Sequence, residues 1–100
     1  MICEKPDCEY RCSKTPMALV PFDFIAAMAN NFHAGLKNGR KAFDWKRMEW
    51  NDAVELEYTS KLMRHLAAAA EGLTDEDHWA AVACNAAILW HHANQRAVNP

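Results

Sequence analysis

The sequence predicts an all-α protein: a three-helix protomer that assembles with copies of itself into an oligomeric helical bundle. Apolar residues recur at three- and four-residue steps in two long segments, the spacing of a one-sided helix. No stretch alternates apolar and polar residues as a half-buried strand does. The run from Trp79 to Trp90 is nearly all apolar, and a helix apolar on every side needs neighbours on every side. One hundred residues, 51% of them hydrophobic, make one domain with one core, too little chain to surround that run alone.

Residues 1–16, polar and cysteine-containing, read as an irregular leader; 17–96 form the single domain and 97–100 a tail. Ala18-Leu-Val-Pro21 introduces the first helix, with proline suited to its first turn. Phe22, Ile25, Met28, Phe32 and Leu36 form its apolar stripe, and Asn38-Gly39 stops it in a left-handed turn. Residues 40–50 are a basic, aromatic connector. Asn51 or Asp52 caps the second helix, which carries the alanine run Ala67–Ala70 and extends to Gly72. Its inward stripe is Val54, Tyr58, Leu62, His65 and Ala69. The third helix is expected to open at Thr74, where Thr-Asp-Glu-Asp offers a capping hydroxyl and three acids to the helix dipole. Its end is expected to fray near His91 and His92. Alanines at 80, 81, 83, 86 and 87 allow close helix approach.

Eleven Lys and Arg against thirteen Asp and Glu leave a net charge of −2, no basis for binding duplex nucleic acid. The charge is segregated, however. Lys37, Arg40, Lys41, Lys46 and Arg47 against Asp44 give +4 between residues 37 and 47, so the remainder is −6. No uncharged apolar run is long enough for a membrane span. Met1-Ile-Cys-Glu-Lys-Pro lacks the apolar core of a secretory signal, which points to a cytoplasmic location. Cys3, Cys8 and Cys12 are spaced unlike the usual zinc patterns, even with His33 as a fourth ligand, so a zinc site there is not expected. Cys84 reads as a small buried hydrophobe.

The connector supplies the best binding chemistry. Its cations, interleaved with Phe43, Trp45 and Trp50, suit phosphates and a stacked base; the plainer reading is a solvated basic loop with tryptophans plugging the core. His78, Asn85 and His92 are seven residues apart on one stripe of the third helix. Asn85 either sets register in a helical seam or lines a polar site with His78. His65 is placed inward, as a core residue or a pocket wall. Arg64 lies with Glu57, Lys61 and Glu71 on a solvated ion-pair stripe. Of the acids at the second corner, Asp75 and Asp77 beside His78 are the metal candidates; Glu49 and Glu76 read as helix-start charges. No phosphate loop, zinc-protease motif or nucleophile elbow is present.

Leu19-Val-Pro21, Ala34-Gly-Leu-Lys37, Asp44-Trp45-Lys-Arg, Leu62-Met-Arg-His65-Leu and Asp77-His78-Trp-Ala-Ala-Val-Ala-Cys-Asn85 occur in that order. Over residues 14–93 the chain thereby resembles the phage-associated N-terminal domain of dATP/dGTP diphosphohydrolase, related to the all-α MazG-like nucleotide pyrophosphohydrolases. The resemblance implies an oligomeric all-α fold, a nucleotide ligand and Mg²⁺-assisted release of pyrophosphate. It implies site roles for Lys37, Trp45, Arg64, His65, Asp77, His78 and Asn85. MazG-like enzymes hold metal with an ExxE pair followed by an ExxD pair. Here Glu49-x-x-Asp52 stands at a helix start with no second pair, and the corner from Gly72 to His78 is short.

Three readings follow. The first is capture, without hydrolysis, of a nucleotide or nucleotide-derived immune signal at a basic, aromatic site between subunits. It uses Lys37, Arg40, Trp45, Trp50, Arg64, His65, His78 and Asn85, needs no cofactor, and is set in the cytoplasm of an infected host. The second is a Mg²⁺-dependent diphosphohydrolase, with Asp75 and Asp77 on the metal. The third is a structural helical adaptor.

Overall fold

The computed structural model describes residues 16–98, with no strand among them. Three long helices and one short one follow a 3-10 turn at Met17–Leu19. They are α1 (Phe22–Lys37), α2 (Asp44–Arg47), α3 (Asp52–Ala70) and α4 (His78–Val98). The leader's cysteines, Cys3, Cys8 and Cys12, lie outside the described residues.

The two long turns share one construction. Gly39 and Gly72 adopt φ of 89° and 79°, the left-handed region where a side chain is strained. After α1, Gly39 N–H donates to Leu36 O and Arg40 N–H to Gly35 O; after α3, Gly72 N–H donates to Ala69 O and Leu73 N–H to Ala68 O. Each pair closes a Schellman motif and satisfies carbonyls that the helix end would otherwise leave bare. Asn51 caps α3 as expected, its side chain accepting from Val54 N–H at 3.0 Å.

The start of α4 differs from expectation. Asp77, not Thr74, is the cap: its Oδ1 accepts from Ala80 N–H at 3.0 Å, and the helix begins at His78. Aspartate is at least as good an N-cap as threonine. The later start leaves Thr74, Asp75 and Glu76 in the corner loop. The other end of α4 does not stop at His92 either. It continues to Val98, into the expected tail, and His92 is buried, its Nε2 2.7 Å from Trp45 O.

α4 is the central element, against which α3, α1 and α2 all pack. Its buried positions, Ala80, Ala81, Cys84 and Ile88, form the apolar core, with His78 and His92 buried at its two ends. α1 and α3 contain no fully buried residue. The inward stripe of α3 is half-buried along its length, as expected. Within one chain, however, α4 is buried on one side only: Trp79 and Trp90 remain 55% and 69% exposed.

Candidate functional site

α1 and α3 both pack on α4 and leave a groove of about 610 Å³ between them. Ala81, Cys84, Asn85 and Ile88 of α4 line it, with Phe32, His33 and Leu36 from α1 and Tyr58, Lys61 and His65 from α3. Residues 40–45 of the connector line one end and Glu76 of the corner contributes from the other turn. The volume falls in the range of small-molecule sites. Arg40, Lys41 and Lys61 face two acids there, Asp44 and Glu76, an excess of positive charge suited to an anion.

Each charged wall is held from below. Arg40 is fixed by the Schellman bond of its N–H to Gly35 O, and its side chain passes close to Gly35, where an added methyl would stand 3.5 Å from Cδ. Asp44 accepts from Lys41 N–H at 2.9 Å and pairs with Arg47 at 3.8 Å, so its charge is spent on the connector. Lys61 Nζ lies 4.7 Å from the Tyr58 ring centroid and 3.9 Å from Glu57. Phe43 holds φ of 65°, an uncommon conformation for a bulky residue. Its ring is 57% exposed beside the groove, with Lys46 Nζ 4.8 Å from its centroid.

Of the residues expected to bind, Arg40, Trp45, His65 and Asn85 meet in this groove. Trp45 is partly committed to packing, stacked on Phe32 at 5.6 Å and edge-on to His91 at 5.3 Å. Asn85 donates from Nδ2 to Ala81 O at 2.9 Å, which settles half of its amide within its own helix. Lys37, Trp50 and Arg64 are not brought there. Lys37 and Arg64 are exposed on their helices. Trp50 stacks flat on His92, centroids 4.1 Å apart and planes within 2°, and its Nε1 donates to Glu55 at 3.4 Å. It holds the connector to α4. Lys61, expected on the solvated stripe, also lines the groove, and of the three connector rings it is Phe43 that is left exposed there.

At the corner end His65 and His78 meet. Their Nδ1 atoms are 2.9 Å apart, and Glu76 Oε1 lies 3.1 Å from His65 Nδ1 and 3.5 Å from His78 Nδ1. Behind them Asp75 Oδ1 takes the other ring nitrogen of His78, at 2.7 Å. That hydrogen bond holds Asp75 below the usual carboxylate range. Asp75 therefore orients a histidine and Asp77 caps a helix. The acid brought to both rings is Glu76, expected only to be a helix-start charge. These three are the one group of His, Cys, Asp or Glu among the described residues whose donor atoms converge on a possible ion. Cys84, in the groove floor, donates to Met28 O at 3.3 Å; burial, reinforced by the charge of Asp77, pushes its thiol up to about 11. It stays protonated and unreactive at neutral pH.

Over the described residues, the geometry defines an all-α protein with a groove that carries more basic than acidic side chains. The sequence matches the family described as dATP/dGTP diphosphohydrolase, N-terminal, over residues 4–99, and the chain belongs to that family. The match extends beyond residues 14–93 and takes in Cys8 and Cys12. No curated protein and no solved structure matches the chain.

Proposed function

We propose that the groove binds a purine deoxynucleoside triphosphate and that the chain takes part in its conversion to monophosphate and pyrophosphate, the reaction its family is named for. The family match over 96 of the 100 residues, 4 through 99, carries this reading. The groove supports it physically. Arg40 from the connector and Lys61 from α3 both line the groove and can meet a phosphate chain, and Arg40 offers a planar fork of donors. Phe43 offers an open ring face for a base, and the Oδ1 of Asn85 is left to accept from a ligand donor.

Among the described residues, the donors that converge do not suit the Mg²⁺ implied by the family resemblance. Mg²⁺ takes oxygen ligands, whereas the converging group here is two imidazoles and one carboxylate. Asp52, of the Glu49-x-x-Asp52 pair, lies 3.4 Å from Arg96, which also reaches Glu55 at 3.5 Å. That observation favours a second reading, capture without hydrolysis.

One experiment separates the two. The protein is incubated with dATP, dGTP and a pyrimidine control in Mg²⁺ or Mn²⁺, then chromatographed before and after heat denaturation. Monophosphate with pyrophosphate supports hydrolysis. Unchanged nucleotide released only by heating supports capture. No product, no retained nucleotide and no rise in melting temperature refute both and leave an adaptor. Arg40→Ala and Lys61→Ala are each expected to weaken triphosphate binding about tenfold or more by titration calorimetry, the loss of a charge-assisted hydrogen bond.

The reading includes further copies of the chain covering the outer side of α4. Trp79, Ala86 and Trp90 are exposed on one helix, and large rings left in water favour a partner. Trp90→Ser is expected to shift light-scattering mass toward the monomer; an unchanged mass removes Trp90 from any interface.

A further inference from the structure

We propose that His65, Glu76 and His78 form a binding site for one first-row divalent transition-metal ion, with zinc the reference case, opening onto the groove. Three donor atoms from three segments converge: Nδ1 of His65 on α3, Oε1 of Glu76 in the corner and Nδ1 of His78 on α4. Their separations are 2.9, 3.1 and 3.5 Å. Donors each about 2.1 Å from a shared ion stand roughly 3.0–3.4 Å apart for bond angles between right and tetrahedral. The triangle is therefore close to the size that such an ion sets.

Protons alone serve this arrangement poorly. Asp75 can only accept, so the proton of neutral His78 sits on Nε2 and its Nδ1 presents a lone pair. Glu76 presents another. The single N–H that His65 can place on Nδ1 faces both acceptors and cannot align with both. A cation at the centre satisfies all three atoms at once. The Asp75–His78 contact is then the outer carboxylate that fixes tautomer and ring orientation, as in carboxylate–histidine–metal triads.

The local fold holds the set in place. Gly72 turns the chain after α3, the Asp77 cap starts α4 at His78, and Glu76 is left between them facing His65. Two imidazoles and a carboxylate favour zinc, iron, cobalt or nickel over Mg²⁺. His78 is buried, while His65 and Glu76 line the groove, so an ion held by the three is reached from it. An anionic oxygen of a groove ligand can take one of the ion's remaining coordination positions. The site itself does not rest on the nucleotide reading.

Metal binding without nucleotide tests the proposal. Zinc titration calorimetry and the absorption spectrum with Co²⁺ are recorded on the full chain and on full-length Cys3→Ser/Cys8→Ser/Cys12→Ser, which removes competing thiolates. One equivalent is expected in both, undisturbed by a large excess of Mg²⁺, with no thiolate charge-transfer band in the triple variant. In that background His65→Ala and Glu76→Gln, both at accessible positions, are expected to weaken binding about 100-fold, and Asp75→Asn about tenfold. Circular dichroism checks that each remains helical. Loss of zinc binding in the triple serine variant, or equal binding in folded His65→Ala and Glu76→Gln, overturns the site.

Discussion

Two histidine pairs sit at opposite ends of α4, and their surroundings make them different objects. At the corner, His65 and His78 turn ring nitrogens toward each other, with carboxylates on either side. At the connector, His91 and His92 lie edge to face among tryptophans: His91 against Trp45, His92 under Trp50 and bonded to the Trp45 carbonyl. No carboxylate within ion-pair distance of either is found among the described residues. The first pair has lone pairs to offer a cation; the second spends its ring faces on packing and one nitrogen, His92 Nε2, on the Trp45 carbonyl. Histidine identity says little until the neighbours are known.

The largest effect that would break this contrast is structural. His92→Ala removes a buried ring, its stack on Trp50 and its bond to Trp45 O, and is expected to cost about 3 kcal/mol in urea unfolding. A loss below about 1 kcal/mol would mean that the connector does not depend on it. Ile88→Ala, in the core between the two ends, is expected to cost about 2–3 kcal/mol by the same measurement, a buried aliphatic residue in a small core. Gly72→Ala places a side chain at φ of 79° and is expected to cost about 1–2 kcal/mol in thermal unfolding. It sharpens the comparison by straining the corner pair while leaving the connector intact.

The smallest expected effect is in pH. Burial, then the neighbouring His92 and Lys46, lowers the pKa of His91. The unfolded chain then takes up this proton first as pH falls through and below the ordinary histidine value, so acidification removes stability. The urea midpoint of wild type is expected to fall slightly more between pH 7.5 and 5.5 than that of His91→Gln. Equal falls would show that His91 titrates as it does in the unfolded chain.

What could be read ahead of the structure was local. The helix from Phe22, the Asn51 cap and the two glycine stops all act within a few residues, and each is where spacing put it, although Phe22, Ile25 and Leu36 of the α1 stripe stay exposed. Thr74 and Asp77 are both competent caps, and choosing between them needs the path of the corner. That choice hid the role of Glu76, which faces His65 only because α4 starts late. Trp50 carried a binding signature in sequence, but its stacking partner, His92, is reached only when α4 folds back along α3. Lys61 lies between the inward and solvated stripes of α3, and the groove beside it exists only once α1 is placed. Arg40, Trp45, His65 and Asn85, which line the groove, could be singled out in sequence because connector, inward stripe and polar interruption each mark a surface rather than a partner.

The two walls of the groove are fastened unequally. α3 lies along much of α4, whereas α1 is joined to it over a shorter contact that includes the Cys84–Met28 hydrogen bond, and the Phe32–Trp45 stack ties α1 to α2 instead. Amide hydrogens in α1 should therefore exchange with solvent well before those in the centre of α4, through openings that leave the rest folded. A molecule that bridges Arg40 and Lys61 would act as a clasp between the walls. Its clearest signature would be slowed deuterium uptake along α1, with little change in the helix that forms the floor.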